Sequence, residues 1–128
     1  MARKSNEKKE SFAGIPRNVL RSDEYKKLSG NDVKLLLELA YQFRGYNNGD
    51  LTTAWAVLVN RGWHSRSTID RAKKNLLDEG LIVETRCGRF LNPGGRCALY
   101  ALTWLPIDEC KGRNLDIKPT NVPPRRFR

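Results

Sequence analysis

The sequence predicts an α+β domain in which a three-helix core is followed by a C-terminal β-hairpin. Three observations lead to it. The stretch Ser65 to Gly80 has apolar residues at helical spacing and a polar, basic opposite side. A tight turn around Gly62 joins it to a shorter apolar-periodic stretch before it. After Gly80 the period changes, and two β-type runs follow, Leu81–Thr85 and Cys97–Thr103, separated by a glycine-rich loop.

In Ser65 to Gly80, Ser65 is the expected cap, since its hydroxyl can accept an otherwise unpaired backbone N–H of the first turn. Gly80 is the expected terminator, because glycine tolerates the left-handed conformation that closes many helices. Ile69, Ala72, Leu76 and Leu77 fall on one side. Ser67, Asp70, Arg71 and Lys74 fall on the other, with Arg66 near the N-terminal end.

The chain has 128 residues, which the length prior reads as one domain, with Lys and Arg outnumbering Asp and Glu to give a formal charge of +10. A balance this basic favours a polyanionic partner, most often nucleic acid. No apolar run approaches the ~20 residues needed to cross a bilayer, so no membrane partner is expected. The N-terminal decapeptide lacks the apolar segment of a secretion signal, and the expected location is cytoplasmic. Cys87, Cys97 and Cys110 are odd in number and widely spaced, and are expected to be free, unligated thiols.

Taken in order, residues 1–11 are expected to be a flexible basic arm, residues 12–108 the folded domain, and residues 109–128 a flexible basic tail. Phe12, Ile15, Val19 and Leu20, around Pro16, are expected to pin the arm to the core. Ser22 to Leu28 reads as a helical turn with Tyr25 and Leu28 facing inward. Ser29-Gly30-Asn31-Asp32 has the form of a capping box with Asp at its last position. The helix it opens runs to about Phe43, with Val33, Leu36, Leu37, Ala40, Tyr41 and Phe43 as its apolar face. After a loop and a short strand at Leu51-Thr52, Thr52 or Thr53 caps the second helix, with Trp55, Leu58 and Val59 at i, i+3, i+4. The predicted core includes Leu36, Leu37, Leu58, Ile69, Leu76 and Leu81.

The chain resembles the winged helix-turn-helix domains of bacterial plasmid and phage replication proteins and related regulators. Three pieces carry the resemblance: the helix Val33 to Phe43 with the Asn-Gly loop after it; Gly62-Trp63-His64-Ser65-Arg66-Ser67-Thr68-Ile69; and Leu76-Leu77-Asp78-Glu79-Gly80-Leu81-Ile82. It spans roughly residues 29 to 103. It implies a transcription regulator or replication accessory factor of a bacterium, plasmid or phage.

On either ground the expected partner is double-stranded DNA, with helix 65–79 in the major groove. The candidate contacts are Arg66, Ser67, Thr68, Asp70, Arg71 and Lys74, since side chains of the N-terminal half of such a helix reach base edges. Arg71 is the leading base-reader, because its planar fork can bond both acceptors of a guanine edge. Asp70 is expected to orient Arg66 or Arg71, or to accept from a cytosine amine. Arg86, Arg89 and Arg96, across the hairpin, are expected to grip the DNA backbone. Trp55 and Trp63 are read as packing residues, and Phe90 as the better stacking candidate. No cofactor, metal site or catalytic constellation is expected: there is one histidine, no close Cys or His pair and no glycine-rich phosphate loop. The alternative from another class is a winged-helix protein-interaction module, such as a phage- or mobile-element-encoded inhibitor of a host protein. A homodimer is compatible with either.

Overall fold

The computed structural model describes residues 9–88 and 96–128. Most of the expected N-terminal arm, and Arg89 and Phe90, lie outside the described residues. The elements are α1 (Arg17–Arg21), α2 (Asp23–Lys26), α3 (Gly30–Gln42), α4 (Trp55–Leu58), a 3-10 turn (Val59–Arg61), α5 (Arg66–Asp78), β1 (Ile82–Arg86) and β2 (Leu99–Leu102). Among the described residues this is an α+β fold of five α-helices and a two-stranded antiparallel sheet, compatible with the expected core and hairpin.

The helix caps form as the sequence predicts. At the start of α3, the Asp32 N–H donates to Ser29 Oγ, and the Ser29 N–H donates back to the Asp32 carboxylate at 2.9 Å. At the start of α5, the Thr68 N–H donates to Ser65 Oγ. Its end is closed by paired bonds of 3.0 Å, Gly80 N–H to Leu77 O and Leu81 N–H to Leu76 O. That pattern needs a left-handed residue, and Gly80 supplies it with φ +73°. The expected threonine cap of α4 is not used: Ala54 stands at the N-cap with no side-chain bond. Gly62, at φ +85°, then reverses the chain between the 3-10 turn and α5.

The core is built where α3 crosses α5. Leu35, Leu36 and Leu39 of α3 meet Ile69, Ala72 and Leu76 of α5, and Leu58, Trp63, Leu81, Ile82, Tyr100 and Leu102 close around them. Five of the six predicted core residues are buried. The exception is Leu37, 49% exposed, and Tyr41 and Val59 are exposed as well. Asp32 explains the rotation of α3. Its buried carboxylate accepts from Asn75 Nδ2 of α5 at 3.1 and 3.2 Å. The side of α3 that carries Asp32 must therefore face α5, and Leu35, Leu36 and Leu39 share that side while Leu37 does not.

β1 and β2 pair with Ile82 opposite Leu102 and Glu84 opposite Tyr100; Thr85 then bulges before Arg86 meets Leu99. Leu51 bonds both ways with Tyr100, at 3.1 and 2.8 Å, so β2 is flanked by β1 on one edge and Leu51 on the other. All four residues of β2 are buried, which explains why both of its faces are apolar.

Two expectations about the ends of the domain are corrected. Phe12 does not pin the arm; it is 92% exposed. Residues 109–128 are not a free tail. Their backbone bonds Asp116 N–H to Thr85 O at 2.7 Å, Thr120 N–H to Ile107 O at 2.9 Å and Arg125 N–H to Thr103 O at 3.0 Å. Arg125 Nη1 reaches the Glu79 carbonyl at the end of α5. Its Nη2 pairs with Glu24, and Phe127 is buried in the core. A Cβ at Gly80 would collide with the Arg125 guanidinium, so this glycine provides space as well as a turn. The strap is irregular, and its partners outside it are 13 or more residues away, which is why its composition reads as disorder. The folded unit therefore runs on to Phe127.

Phe127→Ala should cost about 3–5 kcal/mol of unfolding free energy, comparable to Leu76→Ala at about 2–5 kcal/mol. Denaturant melts of the two variants check this. A change below about 0.5 kcal/mol for Phe127→Ala is what a free tail would give.

Candidate nucleic-acid interface

Burying Ile69, Ala72 and Leu76 turns the opposite face of α5 outward. Arg66, Ser67, Asp70, Arg71 and Lys74 are all exposed on it, and Thr68 is half-buried at its edge. The helix thus brings the six candidates together on one side, over 13 residues and fewer than four turns.

Their electrostatic partners differ from those expected. Asp70 orients neither arginine; its carboxylate lies 3.6 Å from Lys73 Nζ, one turn on. Spacing separates Asp70 from the adjacent Arg71, and Arg66, one turn back, is turned over the Trp55 ring instead. Lys74 pairs with Asp78 at 2.7 Å, with both side chains more than half exposed. Such a surface pair is weak, and a phosphate can displace its carboxylate at little cost. Arg66 lies over the Trp55 ring, 5.3 Å from its centroid, which holds the guanidinium at the N-terminal end of the helix. Ser67 Oγ is 2.9 Å from Ser65 Oγ, beside the cap. Among the described residues the Arg71 guanidinium has no hydrogen-bond or ion-pair partner, so all its donors face outward.

The hairpin arginines behave differently. Arg86 donates from Nε and Nη2 to the Cys97 carbonyl at 3.0 and 2.7 Å, and from Nη1 to the Arg113 carbonyl at 2.9 Å. Arg96 donates to the Cys87 carbonyl and pairs with Asp116 at 3.0 Å, with its side chain 20% exposed. Both clamp the C-terminal strap to the hairpin, so their guanidiniums hold the fold here. The cause is tertiary: loops folded beside the hairpin present carbonyls that need donors, and arginine has five. Arg89 lies outside the described residues.

Trp63 packs in the core, with Lys34 Nζ 4.8 Å from its ring centroid and bonded to the Gly62 carbonyl. Trp55 is half-buried. Asn75, left out of the sequence reading, joins α5 to α3 through Asp32. Lys73 was also missed; it stands 5.9 Å from the centroid of the buried Tyr100 ring, and burial raises the Tyr100 phenol above its ordinary pKa. Nothing in the sequence pattern marks either residue, because their partners come from other elements. Among the described residues no group of three His, Cys, Asp or Glu side chains is placed to hold a metal ion. No described helix is long and apolar enough to cross a membrane.

No family model, curated protein or solved structure matches this chain.

The three thiols differ in environment. Cys87 and Cys97 are exposed, whereas Cys110 is half-buried. Burial pushes the Cys110 thiol up to about 11, with the Asp50 and Asp108 carboxylates adding to the effect. A raised thiol pKa keeps the group neutral and unreactive through the physiological range, with thiolate forming only as the pH nears that value. Iodoacetamide at pH 8 should therefore label Cys87 and Cys97 well before Cys110, as read by peptide mass spectrometry. Cys110 labelling at the rate of the other two would contradict the burial.

Proposed function

We propose that this chain is a winged-helix protein that binds double-stranded DNA, with α5 in the major groove. The observation that carries the reading is the exposed face of α5: Arg66, Ser67, Asp70, Arg71 and Lys74 stand together, and Arg71 is unengaged among the described residues. The helix is capped at both ends and fixed to α3 by burial and by the Asp32–Asn75 bonds, so its polar face is presented on a rigid support. The turn at Gly62 and the preceding short helix stand where a helix-turn-helix has its supporting helix. Leu51, β2 and β1 stand where a winged helix has its small sheet. The formal charge of +10 supports a polyanionic partner. The role is that of a transcription regulator or replication accessory factor of a bacterium, plasmid or phage.

In this reading Arg71 reads a base edge, and Ser67 and Lys74 take phosphates. Arg66, steadied on Trp55, lies at the end of the helix nearest the duplex. Arg86 and Arg96 stiffen the hairpin. Arg89, between β1 and β2 in the sequence, is the remaining wing arginine for the backbone.

The test begins with selection from a random duplex pool, followed by titrations against preferred and scrambled duplexes at several salt concentrations. Arg71→Ala should cost about 1–3 kcal/mol on the preferred duplex and relax preference at one position. Arg89→Ala should weaken all duplexes evenly and lower the salt slope by about one unit. Equal binding of both duplexes by the wild type would remove the sequence-reading role. No duplex binding at low salt would remove the DNA reading and put the protein-interaction module first.

A further inference from the structure

Three aromatic side chains stand exposed around one groove: Phe12 at 92%, Tyr41 at 57% and Tyr46 at 69%. The groove measures about 750 Å³ and lies between the segment Glu10–Ala13, the end of α3 and the loop Phe43–Tyr46. Its apolar lining is aromatic rather than aliphatic: Phe12, Tyr41, Phe43 and Tyr46, with Ala13 as the sole aliphatic residue. The Arg61 guanidinium carbon lies over the Tyr41 ring, 4.1 Å from its centroid, and the side chain is held by Glu38 at 2.9 Å. Arg44 lines the groove, and among the described residues its guanidinium has no partner.

From these residues we infer that the groove is a second nucleic-acid site, which takes unpaired bases of a single strand. Large exposed apolar side chains grouped on one surface mark a binding site. Flat aromatic rings offer stacking faces to bases, whereas an aliphatic protein segment would find almost no aliphatic surface here. Base-paired nucleotides keep their faces within the duplex stack, so the groove admits unpaired ones. Arg44 supplies a cation for the linking phosphates, while Arg61 stays paired with Glu38 beside Tyr41, and the net charge of the chain favours a polyanion. Position adds to this. Arg61 ends the 3-10 turn, and Gly62 to Ser65 leads directly from it to the start of α5. Arg61, over Tyr41, is thus five positions before Arg66 in the chain. In this respect the inference rests on the duplex reading of α5: the protein would hold a junction, with paired DNA on α5 and the unpaired strand on the aromatic groove.

The experiment uses the full chain and three fluorescent DNA probes: a blunt duplex, the same duplex with a single-stranded thymidine extension, and an oligothymidine of about 12 nucleotides, within the site sizes usual for such grooves. The wild type should bind the oligothymidine, and should prefer the extended duplex to the blunt one by about tenfold or more, the value of one good base–aromatic stack. Tyr46→Ala and Tyr41→Ala should abolish the preference and leave blunt-duplex affinity unchanged, while Tyr41→Phe should retain it. Arg71→Ala should do the reverse, weakening the blunt duplex and sparing the oligothymidine. Both tyrosines are exposed, so circular dichroism should find the variants folded. Binding of oligothymidine without any duplex binding would sink the duplex reading and leave the groove standing. Equal affinity for extended and blunt duplexes, with no oligothymidine binding, overturns the groove. So does self-association in the absence of DNA that Tyr46→Ala abolishes, since a second copy of the chain would then be the occupant.

Discussion

The burial of one face of α5 is the constraint on which the molecule depends. Ile69, Ala72 and Leu76 are almost wholly removed from water, and each methylene so buried contributes roughly 0.8 kcal/mol. No rotation of the helix about its axis keeps those three side chains covered except the one observed. The direction of Arg71, Asp70 and Lys74 is therefore set by residues they never touch. The Asp32–Asn75 bonds reinforce the same rotation from the polar side, joining the first turn of α3 to the second half of α5. One carboxylate thus caps α3 and fixes its register against α5. A buried carboxylate is costly unless its oxygens are satisfied, and here each accepts from Asn75 while one also takes the Ser29 N–H.

The arginines divide into two populations that the composition cannot separate. Arg86, Arg96 and Arg125 turn inward to carbonyls and carboxylates supplied by distant parts of the chain. Arg44 and Arg71 are exposed and have no such partner among the described residues. Nominal charge overstates the number of cations available to an external anion, because an arginine already bonded to several acceptors must lose them to bind another. The surface with free cations is consequently narrower than the charge suggests. The strap formed by residues 109–128 is what consumes these inward arginines. It lies across the hairpin and the end of α5, and it buries Phe127 beneath α1 through the bond from Asn18 Nδ2 to the Phe127 carbonyl.

The sequence by itself determined the features that depend on neighbours a few residues apart. The capping box at Ser29, the cap at Ser65, the left-handed turns at Gly62 and Gly80 and the change of period after Gly80 are all local, because their bonds span no more than five residues. The amphipathic face of α5 was legible for the same reason, since its apolar and polar residues separate cleanly. α3 was not, because its apolar residues fit two overlapping stripes. Only the contact with Asn75 selects the one through Leu35 and Leu39 and leaves Leu37 and Tyr41 in water. The same choice creates the aromatic groove, which no periodicity argument finds: Phe12, Tyr41 and Tyr46 come from three segments, and the sequence reads Phe12 and Tyr41 as packing residues and Tyr46 as part of a loop. The fate of the C-terminal strap and of Arg86 and Arg96 was likewise decided by the tertiary structure. Acceptors brought together across tens of residues, rather than any property of the arginines themselves, determine which cations hold the fold and which remain open to a partner.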